Sequence, residues 1–436
     1  MYSYYLTIIL GCSITLLAGN HAYTQDNVEG TRANNIKTPM LFPTGNPMGL
    51  PIIKLNSTDQ LELHFDDLDA GFKNYFYTLQ LCNADWGVAM LSYFDYIKGF
   101  SNNRINTYRI SSIAQQKYTH YQAMLPERNC MPIRSGNYIL RVYVNGDTSK
   151  TAFTKKLMVY DDKTTVGAQL VQPINSALYT THQRIVVRLN TQSLTVPNPI
   201  QQVKMVVMQN NRWDVAQYNT PPTFIRSKEL EYNMDNILYF AAGREWRWAD
   251  LRSFRFWSDR VASGIQAKGS NTILMKPDAP RNTQRYFYYR DINGMYLVEN
   301  TDNVNPYWQG DYATVKFVYQ PTNKQPLEHT NVYLVGQCTN YVINESTKMT
   351  FNATNGCYEN EQFLKQGYYN YTYVTIDNLK KDNTTSLALT EGNYFDTENT
   401  YQILVYYRAL GARADELIGY SNINSLNGRT AFGLGF

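Results

Sequence analysis

Three carboxylates crowd the stretch FDDLD, where Asp66, Asp67 and Asp69 could serve a calcium site or the acid pair of a glycosidase. The rest of neither pattern is present. A calcium-binding EF-hand loop needs a central glycine and a distal glutamate, and this segment has neither. A polar turn after the strand-like run LELHF accounts for the carboxylates equally well. The histidines His64, His120, His182 and His329 stand isolated in sequence. His120 (in YTHYQAML) and His182 (in YTTHQRIVV) fall at strand starts, where a hydrogen-bonded structural role is expected. A Ser/His/Asp site would need partners brought together by folding. The nucleophile elbow, metalloprotease helix, phosphate loop and dinucleotide fingerprint are all absent from the sequence. No catalytic, metal-binding or cofactor-binding residue is therefore expected, and the chain does not read as an enzyme.

The cysteines offer a different chemistry. Beyond the N-terminal leader lie Cys82, Cys130, Cys338 and Cys357, with no CxxC or Cys/His cluster to hold zinc. An even number in an exported chain allows disulfides, in three connectivities. Cys338 and Cys357 are the expected pair, since they flank a hairpin-like segment. Closing that loop would contribute about 3 kcal/mol in the chain-entropy model. Buried free thiols are the alternative.

The elements that must carry these residues are strands. Of 436 residues only 17% are charged, against a usual level of about 25%, while tyrosine occurs 37 times. β-prone aromatics with few charges point to an all-β protein with Tyr-bearing surfaces. The net charge of +4 and the lack of a basic run give no sign of nucleic-acid binding. Runs such as YFYTLQLC and NYILRVYVNGD alternate inward and outward positions, and NGD is a tight-turn signal before FTKKLMVYD. Tandem antiparallel β-sandwiches of immunoglobulin-like, early-set type are expected, one over 32–160, a middle β-rich unit over 166–300 and a last over 304–436. The dense arginines and tryptophans of FAAGREWRWADLRSFRFWSDRV read as a junction cluster, with a ligand platform as the alternative. In TENTYQILVYYR, Tyr401, Ile403, Val405 and Tyr407 share one face, as in a near-terminal strand of the last sandwich. The flanking Glu398, Arg408, Arg413, Asp415 and Glu416 read as a solvated rim.

The N-terminus is set apart by LTIILGCSITLLAG, an apolar run of signal-peptide length that is too short for a convincing membrane span. Cleavage near Ala22 is expected, leaving 1–22 as the leader. The run continues past Cys12, which favours a soluble exported protein over a lipoprotein. No later segment is long and apolar enough to span a membrane as a helix.

The third unit, with VYLVGQ, a following NG-x-Y turn and KQGYYNYTYV, resembles early-set immunoglobulin-like modules, some of which bind α-glucans. Where glycan binders carry a tryptophan, CTNYVI supplies Tyr341. More extensively, LHFDDLDAGFKNYFYTLQLCNADW, YFDYIKGFSNNRINTYRIS, RSGNYILRVYVNGD, VVMQNNRWDVA, YYRDINGMYLV and EGNYFDTENTYQILVYYR resemble the Plug proteins of the type IX secretion system. The resemblance implies a periplasmic, β-rich, non-enzymatic protein on the inner side of the outer membrane. It would bind the translocon barrel and seal its pore when no substrate or shuttle protein is engaged. An envelope carbohydrate-binding protein acting through the last unit is the second reading. An aromatic ring around one groove would mark the sugar binder, and a broad apolar surface would mark the plug.

Overall fold

The computed structural model describes residues 29–427, apart from 268, 303, 382 and 383. The expected leader and Cys12 lie outside the described residues. Among these residues, no helix is long and apolar enough to cross a membrane. Strands dominate, and helix is confined to short turns such as Pro199–Gln202 and Pro306–Gln309.

The first unit packs two sheets face to face. One has the order Ile36–Pro43, Leu61–Asp67, Thr119–Leu125, Thr107–Ile110. The other runs Gly30–Thr31, Thr151–Tyr160, Gly136–Val144, Tyr75–Cys82, Asn103–Arg104. The alternation in YFYTLQLC and NYILRVYV sends Tyr75, Tyr77, Leu79, Tyr138, Leu140 and Val142 into a common core. Asn145 and Gly146, both at positive φ, make the NG turn that joins its two long strands.

A second core gathers residues far apart in the chain. Thr165–Val171, His182–Asn190 and Glu229–Tyr232 form one of its sheets. Its other sheet has the order Arg212–Tyr218, Val203–Gln209, Thr400–Tyr407, Glu416–Asn424. The strand of TENTYQILVYYR thus sits in the middle of this sheet, with Val405 opposite Met205 and Ile403 opposite Val207. It does not close the last sandwich as its sequence suggested. Alternation specifies which residues are buried but not which sheet receives them, so the long-range partner was invisible locally.

The third core is built from Arg247–Asp250, Val261–Ala267, Ser270–Met275 and the strands between Tyr296 and Ser386. The strands from Arg247 to Leu297, expected in the middle unit, therefore belong with those after 304. Met40 and Phe42, from the outer face of the first unit, are packed into this third core. A further apolar cluster joins the first unit to the second through Leu50, Trp86, Met158, Met208, Leu404 and Tyr406.

Candidate functional site

The strand Leu61–Asp67 positions one site by simple alternation. Leu61, Leu63 and Phe65 enter the first core. Glu62, His64 and Asp66 therefore face outward, towards the third unit. The neighbouring strand places His120 directly opposite Asp66. Nδ1 of His120 lies 2.7 Å from Asp66 Oδ1, and its Nε2 lies 3.1 Å from Nδ1 of His64. Glu62 Oε2 stands 3.2 Å from the other nitrogen of His64.

The third unit completes the arrangement. Lys365 Nζ donates to Asp66 Oδ2 at 2.5 Å, and the Tyr312 hydroxyl donates to the same oxygen at 2.6 Å. The Tyr307 ring stacks on His64 with centroids 4.2 Å apart. Burial alone would push the Asp66 carboxyl up, but the Lys365 ammonium and the His120 ring outweigh it and hold the group below the usual carboxylate range. Burial and the adjacent His120 push His64 down to about 4. Burial also lowers His120, against the pull of Asp66. Both imidazoles are thus neutral at physiological pH.

Two of the histidines isolated in sequence, His64 and His120, therefore meet, and Asp66 of FDDLD joins them. Asp67 turns inward instead and pairs with Lys73 at 2.9 Å. His182 stays apart, 2.9 Å from the Thr181 hydroxyl. The chain of Glu62, His64, His120 and Asp66 has the form of a proton relay, yet His64, Asp66, His120 and Lys365 are all buried. Its geometry suits a clamp between two units. The cue in the sequence was the i, i+2 spacing of His64 and Asp66, which became readable only once strand pairing was known.

A second clamp holds the first unit to the second. Asp415, expected on a solvated rim, is buried. It accepts from the Ala84 backbone N–H at 3.0 Å, Lys204 at 3.0 Å and Arg408 Nε at 2.6 Å. Beside it Trp86 and Trp213 meet edge to face, with the Lys156 ammonium 4.8 and 4.9 Å from the two rings. The Arg/Trp segment also packs internally. Arg247 is buried between Asp278 and Glu391, at 2.8 Å from each.

The expected pairing of Cys338 with Cys357 is not formed, and all four described cysteines are free thiols. The strand Thr330–Val335 separates the two. Cys338 follows its far end, whereas Cys357 adjoins Tyr358, whose hydroxyl accepts from Leu327 N–H before its near end. Six residues of strand span about 20 Å, well beyond the roughly 7 Å reach of a disulfide. Tyr341, the expected sugar platform, is packed against Trp246 with the Arg212 guanidinium 5.0 Å from its ring. Its hydroxyl donates to the Gly294 carbonyl.

The first unit also leaves several large apolar side chains exposed. A two-stranded ribbon, Ile97–Gly99 with Cys130–Pro132, is anchored by Tyr96, Ile97 and Cys130 in the core. Gly99 permits its closure: its φ is +123°, and a Cβ there would stand 2.0 Å from the Asn129 carbonyl oxygen. On and beside the ribbon the exposed apolar residues are Phe94 (69% exposed), Phe100 (64%), Met131 and Ile133, with exposed Lys98 opposite Met131. Met90, in the preceding loop, is exposed as well. Burying such side chains against a partner is favourable by about 25 cal/mol per Å², and apolar groups gathered on one surface mark interaction sites.

Residues 36–161, the unit that carries the ribbon, match the model of the type 9 secretion system plug protein 1st domain. The chain belongs to the type IX secretion system plug protein family. A crystal structure of a hypothetical protein from Parabacteroides merdae ATCC 43184 is similar over nearly the whole chain. It is 30% identical with a TM-score of 0.85, covering 91% of this chain and 98% of that one. An alkylpurine DNA glycosylase from Pseudomonas fluorescens, bound to DNA, overlaps at a TM-score of 0.16 and 10% identity, over 29% of this chain and 30% of that one, which carries no argument. No curated protein matches the chain. Membership of the plug family gives it a role connected with type IX secretion.

Proposed function

We propose that this plug-family protein is exported to the periplasm and closes the periplasmic mouth of the outer-membrane type IX translocon when the channel is idle. The observation that carries the reading is that the part matched to the family's first domain is also the part with the exposed apolar ribbon. A water-filled barrel conducts solutes unless a folded body occludes it. Occlusion needs a surface that adheres to the barrel rim and a body that does not yield. Phe94, Phe100, Met131 and Ile133 supply the first, and the buried clamps at Asp66 and Asp415 supply the second. A sugar-binding role for the last unit is less well supported, because Tyr341 is committed to Trp246 and Arg212.

The test is uptake of a large antibiotic in four strains: parent, plug deletion, translocon deletion and the double deletion. The expected result is raised uptake in the plug deletion alone, abolished when the translocon is also removed. Unchanged permeability in the plug deletion would refute sealing.

A further inference from the structure

The sheet that carries Asp66 and His120 ends in two edge strands, and they are built differently. At one edge, Ile36–Pro43 carries Pro39 and a break in register between Lys37 and Met40. Proline lacks a donor and a bulge turns the edge aside, so both discourage another strand from pairing there. At the other edge, Thr107–Ile110 keeps an unbroken register with Thr119–Leu125 and contains no proline. All four of its residues are exposed.

The register fixes which backbone groups of this edge are free. Ser111 N–H donates to the Tyr118 carbonyl at 2.8 Å. Inward and outward residues alternate in an antiparallel ladder, so Arg109 and Thr107 also turn their N–H and C=O groups to the inner strand. Tyr108 and Ile110 turn theirs outward, where the sheet stops.

The side chains differ between the two faces. Tyr108 stands opposite the core residue Tyr121, so Tyr108 and Ile110 (57% exposed) lie on the core side. The exposed Phe72 ring adjoins them, 4.9 Å from that of Tyr108. Arg109 lies on the other side, its guanidinium 4.7 Å from the Trp308 ring. Arg104 lies 5.8 Å from the Phe72 ring. Among the described residues, neither arginine has a carboxylate partner. Asp67 and Asp69, two strands away, are taken by Lys73.

We propose that this edge accepts an extended segment of a partner polypeptide as an added antiparallel strand, acidic opposite Arg109 and apolar opposite Tyr108 and Ile110. In strand addition the main-chain hydrogen bonds give affinity and alternate side chains give selectivity. The edge offers the N–H and C=O groups of Tyr108 and Ile110 for the first. Opposed residues of paired strands stand about 4.5–5.5 Å apart at Cβ, which brings a glutamate within reach of Arg109. Charge disfavours a second copy of this chain as the occupant. Pairing two such edges so that Tyr108 meets Ile110 sets Arg109 against Arg109, and like charges directly opposed are destabilising. The inference is independent of the sealing role, since it rests on the edge alone.

Calorimetric titration of the full chain with the peptide acetyl-Gly-Thr-Val-Glu-Val-Thr-Gly-amide tests it, beside three altered peptides. One carries lysine for glutamate, one is N-methylated at both valines, and one is N-methylated at the glutamate. Saturable binding of the parent peptide is expected, at least tenfold tighter than the lysine peptide. N-methylation of the valines, whose N–H groups face the edge, should abolish binding. N-methylation of the glutamate, whose N–H points away, should change it less than threefold. Arg109→Glu should reverse the preference between the glutamate and lysine peptides. Ile110→Pro removes an outward donor and spares the inner ladder, so the variant should fold and lose binding. Equal binding of the lysine peptide or of the valine-methylated peptide, or no binding at millimolar concentration by folded protein, would overturn the proposal. A dimer in sedimentation that Ile110→Pro dissolves would assign the edge to a second copy of the chain and overturn it as well.

Discussion

Lys365 and Asp66 meet where water is excluded, so each depends on the other for neutralisation. Breaking a buried ion pair on one side leaves an uncompensated charge and costs about 3–5 kcal/mol. Lys365→Met should therefore destabilise the protein by that amount in urea denaturation, and adding Asp66→Asn should recover part of the loss. A Lys365→Met variant with unchanged stability would show that the clamp does not operate. The neighbouring histidines set a pH dependence. His64 falls from the ordinary histidine value of 6.5 to about 4, chiefly through burial. The folded state therefore resists a proton that the unfolded chain accepts. Stability present above pH 6.5 is lost as pH falls through that window towards 4. Asp291 acts oppositely, because burial raises it from 3.8 to about 7. Its contribution is full below pH 4 and is lost as pH rises to 7. Melting temperatures of His64→Gln and Asp291→Asn across pH 4–8 separate the two: the first should flatten the acid loss, the second the neutral loss.

The strand Thr400–Tyr407 shows why elements here cannot be assigned by position along the chain. It is flanked on both sides by paired strands, Val203–Gln209 and Glu416–Asn424. Without it the second core loses Tyr401, Ile403 and Val405. The fragment 166–300, a unit by sequence boundaries, should therefore lack cooperative unfolding by circular dichroism. A sharp melt of that fragment would contradict the long-range pairing. The free thiols make a companion prediction. Maleimide labelling in denaturant without reductant should modify Cys82, Cys130, Cys338 and Cys357, and reductant should leave the melting temperature unchanged. A protected pair would reinstate the bridge that strand Thr330–Val335 keeps apart here.

At the scale of the molecule, two buried clamps and two shared apolar clusters tie three cores into one body that presents an apolar ribbon. Phe94→Ser with Phe100→Ser removes exposed surface only, so stability should stay within about 0.5 kcal/mol of the parent. Co-purification of the translocon from detergent-solubilised envelopes should fall at least tenfold in the same variant. Retained capture would move the contact surface away from the ribbon.

The sequence by itself determined the all-β class, the inward faces of the long strands, the NG turn at Asn145 and Gly146, and the family. Each depends on residues close together in the chain, through period-two burial, local turn chemistry or contiguous blocks. Only the tertiary structure decided that Asp66 meets Lys365, that Asp415 is buried rather than rimmed by water, that Cys338 and Cys357 stay apart, and that Thr400–Tyr407 serves the second core. The physical reason is common to all of these but the cysteines. Alternation says that a face must be covered, but the covering residue is chosen by packing between segments hundreds of positions apart. Asp66 and Lys365 differ by 299 positions, and no local pattern encodes that meeting.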